Sequence, residues 1–347
     1  MAYREAVELN PLLCQLTAAS PSNLVVRRPR RGSPRGQRWL TEWFSAVRET
    51  ALAFAGTIVI QSLLRDVIEG NSRITVLMKI KINPRNLEPE FASLKNYIES
   101  FLDLTSMRGL EIGPFDRPFF SKDQTNVSFV DYRSTTEVKA FADIASGHSS
   151  DFVVEVDYVV PTLGDWSLVP ADQFDWILSS HVLEHSGNLV KLFNILASKL
   201  RRDGLLIIIM PDKSCTFDVY RPITTLGTIM QDFLTDADRP RIQSVFDAIF
   251  YETPLSISVA MSESLHHRDT LVNNSNFDFA LHEAERSMSR YYDAHNYVFT
   301  SISYQKIAEQ LCKARAIPFL PVVHRPTQEG EMSFVSILKK TDATPRP

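Results

Sequence analysis

Phe174-Asp175-Trp176-Ile177-Leu178-Ser179-Ser180-His181-Val182-Leu183-Glu184-His185 is the stretch whose reading decides the fold. An apolar run from Phe174 to Leu178 closes on two serines, as a buried strand closes on the rim of a sheet. A short helix-compatible turn follows, carrying two histidines and a glutamate. Taken with the segments upstream, it is the fourth strand of a nucleotide-type α/β sheet, opening onto a rim. Taken alone, His181-x-x-Glu184-His185 has the spacing of two metal-binding imidazoles one helical turn apart.

Working outward, the texture alternates between short apolar strands and helices. Met107 to Ile112 is a strand ending at Gly113. Val127 to Val130 is a strand ending at Asp131. Ser134 then caps a helix running to about Ala145, with Glu137 at the reciprocal capping position. Phe152 to Val156 reads as a strand ending at Asp157. Beyond the quoted stretch, Leu189, Leu192, Phe193, Leu196 and Leu200 form a helical stripe. Arg201-Arg202-Asp203-Gly204 closes it, with Gly204 as the helix C-cap. Leu205 to Met210 is fully apolar, as a strand inside a parallel sheet must be. This rhythm predicts an α/β, doubly wound, Rossmann-like sheet with right-handed crossovers.

The rhythm breaks after Pro211. Residues 212–298 hold helical stretches near 223–234, 239–250 and 278–292 and read as an inserted helical lid over the carboxyl ends of the strands, where open α/β sheets bind ligands. A helix from Tyr304 to Ala314 and strands over 317–323 and 332–338 complete a seven-stranded sheet with an antiparallel hairpin at one edge. The expected domain thus spans 106–347. Residues 39–105 read as an N-terminal helical extension, with helices over 39–69 and 94–104, a strand over 72–80 and a turn at Asn83-Pro84. Residues 1–38 read as an irregular arm.

The chain has 347 residues, 44% of them apolar, with a net charge of −4. That charge gives the molecule no general attraction for nucleic acid. The arm differs, with six arginines between Arg27 and Arg38. It is either a solvated basic tail or a handle for anionic lipid or an acidic partner. Cys14, Cys215 and Cys312 are few, odd in number and far apart. They argue against a disulfide framework and a cysteine metal site, and they fit a reducing cytoplasm. No apolar run follows the first basic residue, so the N-terminus does not read as a secretory signal. The most apolar segment, Ala51 to Leu64, is shorter than the roughly twenty residues a spanning helix needs, and it reads as a buried or interfacial helix.

Three successive strand tips carry residues suited to a nucleoside. Gly113 lets backbone approach a ligand closely. Asp131 can take both ribose hydroxyls. Asp157 can accept from an adenine amino group, and Tyr132 and Tyr158 can flank the ring. Each of these residues alone is also compatible with a plain turn. There is no Gly-x-Gly-x-x-Gly, because Gly113 runs into Pro114-Phe115-Asp116-Arg117-Pro118. Those prolines leave little room for a helix N-terminus aimed at a pyrophosphate. A nucleoside cofactor without phosphates is favoured, and S-adenosylmethionine fits.

From about Met107 to Leu338 the chain resembles a class I S-adenosylmethionine-dependent methyltransferase. It is similar to a bacterial group associated with polysaccharide and glycan biosynthesis. The resemblance rests on Gly109-Leu110-Glu111-Ile112-Gly113-Pro114, Val130-Asp131-Tyr132, Val156-Asp157, Ser180 to His185, Met210 to Asp218, Arg221-Pro222 and Asp293 to Thr300. It implies that Glu111, Gly113 and Pro114 border the methionine part of the cofactor. It implies that Asp131 holds the ribose and that Asp157 and Tyr158 meet the adenine. Ser180 and His181 would line the floor beneath the methyl group, and Glu184 and His185 would stand at the pocket rim. The expected reaction is O-methylation of a sugar or glycan intermediate.

A hydroxyl acceptor benefits from a base, and histidine suits that task near neutral pH. His185 and His295 are the candidates, with Asp212 as the orienting carboxylate, and a purely structural role is open for each. His266, His267 and His282 read as surface residues of the insertion. No metal is expected. A zinc hydrolase using His181, Glu184 and His185 would need a long helix, and here the motif follows directly on a strand and Gly187 interrupts it. A non-catalytic relative that pairs with another enzyme is the remaining alternative, kept open by the irregular Gly113-Pro114-Phe115 loop.

Overall fold

The computed structural model describes residues 88–103, 105–145, 147–161, 165–252 and 277–343, together with three N-terminal strands by their backbone alone. Those strands are β1 (Leu24–Val26), β2 (Ile58–Val67) and β3 (Ile74–Ile82), forming an antiparallel sheet of order β1-β3-β2. This corrects the helix expected over 39–69, because residues 58–67 are a strand. Ile58-Val59-Ile60 opens it, and β-branched side chains favour the pleated backbone over the helix. The basic run from Arg27 to Arg38 lies outside the described residues.

The second unit, residues 93–347, is built on a seven-stranded sheet. Its strands are β4 (Arg108–Ile112), β5 (Asn126–Asp131), β6 (Tyr158–Val159), β7 (Phe174–Ser180), β8 (Leu200–Pro211), β9 (Phe319–Arg325) and β10 (Ser333–Lys340). Their order is β6-β5-β4-β7-β8-β10-β9, and β10 alone runs opposite to the other six. This is the doubly wound sheet with an antiparallel edge hairpin that the sequence predicts. The chain reverses between β4 and β7, so the cleft opens beyond the carboxyl ends of those strands.

Local chemistry sets these elements. In β7, Trp176, Ile177 and Leu178 are fully buried, as are Leu206, Ile207 and Ile208 in β8. Parallel central strands are covered on both faces and so need no alternation. Gly109 of β4 pairs with Trp176, and a Cβ at Gly109 would sit 1.9 Å from the indole. The glycine is the space the indole occupies, and burying a tryptophan contributes about 5 kcal/mol of transfer free energy.

The helices are α1 (Pro89–Glu99), α2 (Thr135–Ala142), α3 (Leu189–Lys199), α4 (Leu226–Leu234), α5 (Ile242–Phe250), α6 (Phe277–Ser287) and α7 (Ser301–Lys313). Ser134 and Glu137 form the predicted capping box of α2. Asn188 caps α3 by accepting from Lys191 N at 3.0 Å, and Leu189, Leu192, Phe193 and Leu196 bury its stripe.

Three further boundaries differ from expectation. The helix predicted over 94–104 begins at Pro89 and ends at Glu99. Helix α3 stops at Lys199, and Gly204 lies within β8 rather than capping the helix. Residues 152–156 are not a strand. Ser149 caps a single 3-10 turn over Ser150–Phe152, and the strand β6 begins after Asp157. The insertion carries α4 to α6, and its two ends meet in a bridge between Asp212 and Phe299. Among the described residues no helix is long and apolar enough to cross a membrane.

Candidate active site and cofactor cleft

The cleft begins at the tip of β4. Gly113 has φ +59°, a left-handed conformation in which L side chains are strained, and a Cβ there would meet Val182 Cγ2 at 3.0 Å. Its N–H donates to Val130 O at 2.8 Å, locking the tips of β4 and β5 together. Glu111 is 1% exposed and accepts from Phe119 N at 2.8 Å and Phe120 N at 3.3 Å. It therefore templates the loop after Gly113 from within. Pro114 is buried at the start of that loop.

At the tip of β5, Asp131 is 7% exposed. Burial pushes its carboxyl up, against hydrogen bonds from the amides of Arg133 and Tyr132. Asp157 departs from expectation. It precedes β6, and its carboxylate accepts from Phe129 N at 2.8 Å and from Lys122 Nζ at 2.6 Å. It ties β5 to the approach of β6, so it is not a free acceptor for an adenine. Tyr158 packs against the core. Tyr132 is half-exposed and lies within electrostatic reach of Asp293 and Tyr291.

At the tip of β7, Ser180 Oγ is buried with no hydrogen-bond partner among the described residues. His181 takes φ +54°, its N–H donates to Ile209 O, and its Nε2 lies 3.1 Å from Ser333 Oγ. Only a single 3-10 turn, Leu183–His185, follows. The long helix that a zinc-hydrolase reading of His181, Glu184 and His185 requires is absent from this segment.

The insertion returns to this turn. Gly187 admits it, since a Cβ there would lie 2.3 Å from Arg239 N. Asn296 N and Tyr297 N both donate to Glu184 O, at 2.6 and 3.0 Å, and Asn296 Nδ2 donates to Ser186 O at 3.0 Å. Tyr297 Oη reaches Asp232 Oδ2 at 2.8 Å and accepts from Leu189 N at 3.1 Å. This network places His295 against His185, with ring centroids 4.7 Å apart and edge to face.

Both histidines face carboxylates, and only His295 makes a formed hydrogen bond to its own. His295 Nδ1 bonds Asp218 Oδ2, and His185 Nδ1 lies 2.8 Å from Asp293 Oδ1. Asp218 also accepts from Arg221 Nη1 at 2.8 Å, and both residues of that pair are buried. Burial alone would raise the Asp218 carboxyl, and His295 and Arg221 outweigh it, holding the group below its ordinary value. Burial alone would lower the His185 imidazole, and Asp293, Glu184 and Asp218 outweigh it upward. Asp212 is not the orienting carboxylate. It accepts from Ser214 N, Ser301 N and Thr327 Oγ1 at 2.8, 3.0 and 3.1 Å, fastening the end of β8 to α7 and the edge hairpin. Asp218, Arg221 and Asp293 were given no role by sequence reasoning, because the histidines they serve are distant in the chain.

The strand tips fit S-adenosylmethionine. A glycine cradle, a desolvated carboxylate at Asp131 and an orphaned hydroxyl at Ser180 sit on adjacent strands. Asp131 would hold the ribose, Gly113 would admit the methionine end, and Ser180 and His181 would lie beneath the sulfonium.

A family profile described as a methyltransferase domain matches residues 84–310, more than half the chain. No curated protein matches it. Among solved structures, the chain is similar to the CurJ carbon methyltransferase, with 14% identity and TM-score 0.37, over 73% of this chain and 54% of that one. It thus spans about half that protein's length. It is similar to an S-adenosylmethionine-dependent methyltransferase from Thermotoga maritima, with 13% identity and TM-score 0.37, over 73% and 89% of the two chains. It is similar also to the PH0226 protein from Pyrococcus horikoshii, with 11% identity and TM-score 0.38, over 74% and 92%. The chain belongs to the methyltransferase-domain family.

Proposed function

We propose that the acceptor is a hydroxyl of a sugar or glycan intermediate. The observation that carries this reading is the group of histidines beside the strand tips, with an aromatic border. Phe217 lies 5.1 Å from the His295 ring, Tyr291 Oη is 3.3 Å from Asp293 Oδ1, and Tyr132 neighbours both Tyr291 and Asp293. All three aromatics are about half-exposed. Aromatic faces suit the C–H faces of sugar rings, and carboxylate-held imidazoles suit hydroxyl protons.

The bound cofactor supplies a methyl group already activated on sulfur. The chain's work is then to align an acceptor oxygen with it and to lower the cost of losing the acceptor's proton. His185 and His295 would act on that hydroxyl, with His295 fixed by Asp218 and His185 beside Asp293. An amine acceptor, already nucleophilic once neutral, would need no such cluster.

The test is incubation of the full chain with S-adenosylmethionine and a panel of glycans, sugar nucleotides, small amines and phenols. Mass spectrometry locates the methyl group. An O-methylated sugar supports the reading, and turnover confined to amines or phenols would overturn it. We further propose that the basic run Arg27 to Arg38 brings the chain to an anionic membrane surface. Unchanged binding to phosphatidylserine vesicles after deletion of residues 1–38 would refute that.

A further inference from the structure

Glu184 is fully buried, and neither carboxylate oxygen has a hydrogen-bond partner among the described residues. The nearest ionisable group to Oε1 in an ion-pair contact is His181 Nδ1, at 3.6 Å. A buried carboxylate without hydrogen bonds persists only if it is protonated or if a cation compensates it. Two imidazoles stand ready beside it. One donor atom each from Glu184, His185 and His295 lies within 4.8 Å of the other two. Donors on one small cation sit about 2.0–2.2 Å from it, hence about 3.4 Å apart. Small side-chain adjustments close the difference.

The imidazoles are already arranged as ligands. A ligating histidine characteristically turns its other nitrogen to a carboxylate, which fixes the tautomer. Here His295 turns Nδ1 to Asp218 in a hydrogen bond, and His185 Nδ1 lies 2.8 Å from Asp293 Oδ1 without a formed hydrogen bond. That leaves Nε2 of His295 with its lone pair. Two protonated rings packed edge to face at 4.7 Å would repel, whereas two neutral rings on one cation do not.

We propose that Glu184, His185 and His295 hold a divalent transition-metal cation, with Asp218 and Asp293 as the outer partners of its imidazoles. Two imidazoles and one carboxylate favour zinc, manganese or ferrous iron over magnesium or calcium. Three protein donors leave positions open for an oxygen ligand. The metal's role, though not its site, rests on the hydroxyl-methylation reading. An acceptor hydroxyl in an open position is acidified and releases its proton to water. Its oxygen then forms the bond to the methyl carbon, and the electron pair of the S–CH3 bond stays on sulfur. His185 and His295 thereby act on the hydroxyl through the cation rather than as bases.

The test uses the full chain, stripped with chelator and titrated separately with Zn2+, Co2+ and Mg2+ by calorimetry. Co2+ binding is also followed by its visible absorption. The expected result is one Zn2+ or Co2+ per chain and much weaker Mg2+ binding. Glu184→Gln and His185→Gln should abolish it, and His282→Gln, on the exposed face of α6, should leave it unchanged. Should the buried variants fail to fold, Asp293→Asn at the rim is the second arm, with an expected loss of about tenfold or more in affinity. Absence of Zn2+ and Co2+ binding up to about 1 mM would overturn the proposal, as would full binding by folded Glu184→Gln or by Asp293→Asn. S-adenosylhomocysteine binding in chelator separates the two claims. If it persists while no metal binds, only the cation falls, and if it is absent, the cofactor reading falls regardless of the metal.

Discussion

The imidazole of His295 is bound through Nδ1 to the carboxylate of Asp218, 77 residues earlier in the chain. Arg221 holds the far side of that carboxylate and also donates to His295 O at 2.7 Å. The ring is thus fixed from its side chain and its backbone at once. The pair makes one side of the candidate active site rigid, and it specifies which ring nitrogen is turned to the carboxylate.

His295→Gln should lower kcat by about a hundredfold or more while leaving cofactor affinity nearly unchanged. Asp218→Asn should lower kcat as well, and it should also destabilise the fold by about 3 kcal/mol, because Arg221 loses its buried counter-charge. Steady-state kinetics with urea unfolding separates the two outcomes. Equal losses of stability in both variants would assign His295 a structural role.

Gly187→Ala tests how the insertion delivers His295. The added methyl would collide with the backbone of Asp238 and Arg239, at 2.6 and 2.3 Å. Backbone cannot yield as a flexible side chain does, so the Asn296 and Tyr297 anchors should loosen. The expectation is a destabilisation of about 2 kcal/mol or more, with activity lost at temperatures where the variant is still folded. Wild-type activity in Gly187→Ala would contradict the docking described.

The edge hairpin offers a pH signature away from the site. Glu331 accepts from Arg325 Nη1 and Nη2, each at 2.6 Å. Burial alone would raise its carboxyl, and Arg325 outweighs that, so the folded value lies below the ordinary 4.5. A depressed folded value means the stabilisation is present above about pH 4.5 and fades as pH falls through the folded value. Glu331→Gln should therefore cost about 2 kcal/mol at pH 7. The difference from wild type should shrink on acidification below pH 4.5, as read by thermal unfolding across pH.

Much of the sheet was legible because central parallel strands are continuous apolar runs, as in Leu205 to Met210. The errors came where tertiary pairing overrode the local pattern. The run from Phe152 to Val156 is apolar enough for a strand, yet Ser149 caps a turn there, and β6 is only the two residues that reach β5. Ile58 to Val67 can be given either a helical or an alternating reading, and pairing with β3 decides it. The places of Gly113 and Asp131 at strand tips were legible because strand ends carry recognisable residue types. Asp212 and Asp157 were misassigned because both are acids near strand ends whose actual partners are backbone amides, a threonine hydroxyl and a lysine ammonium. The isolation of Glu184 has no local signal, since burial is a property of the folded chain.

The most direct measurement is calorimetric titration of the full chain with S-adenosylhomocysteine, in parallel with Asp131→Ala. One binding site per chain is expected in wild type. Asp131→Ala should lose about 1.5–3 kcal/mol of binding free energy, roughly ten- to a hundredfold in Kd, because charged hydrogen bonds to the ribose are removed. A wild-type chain that does not bind, or an Asp131→Ala variant with an unchanged Kd, would contradict the account of this cleft.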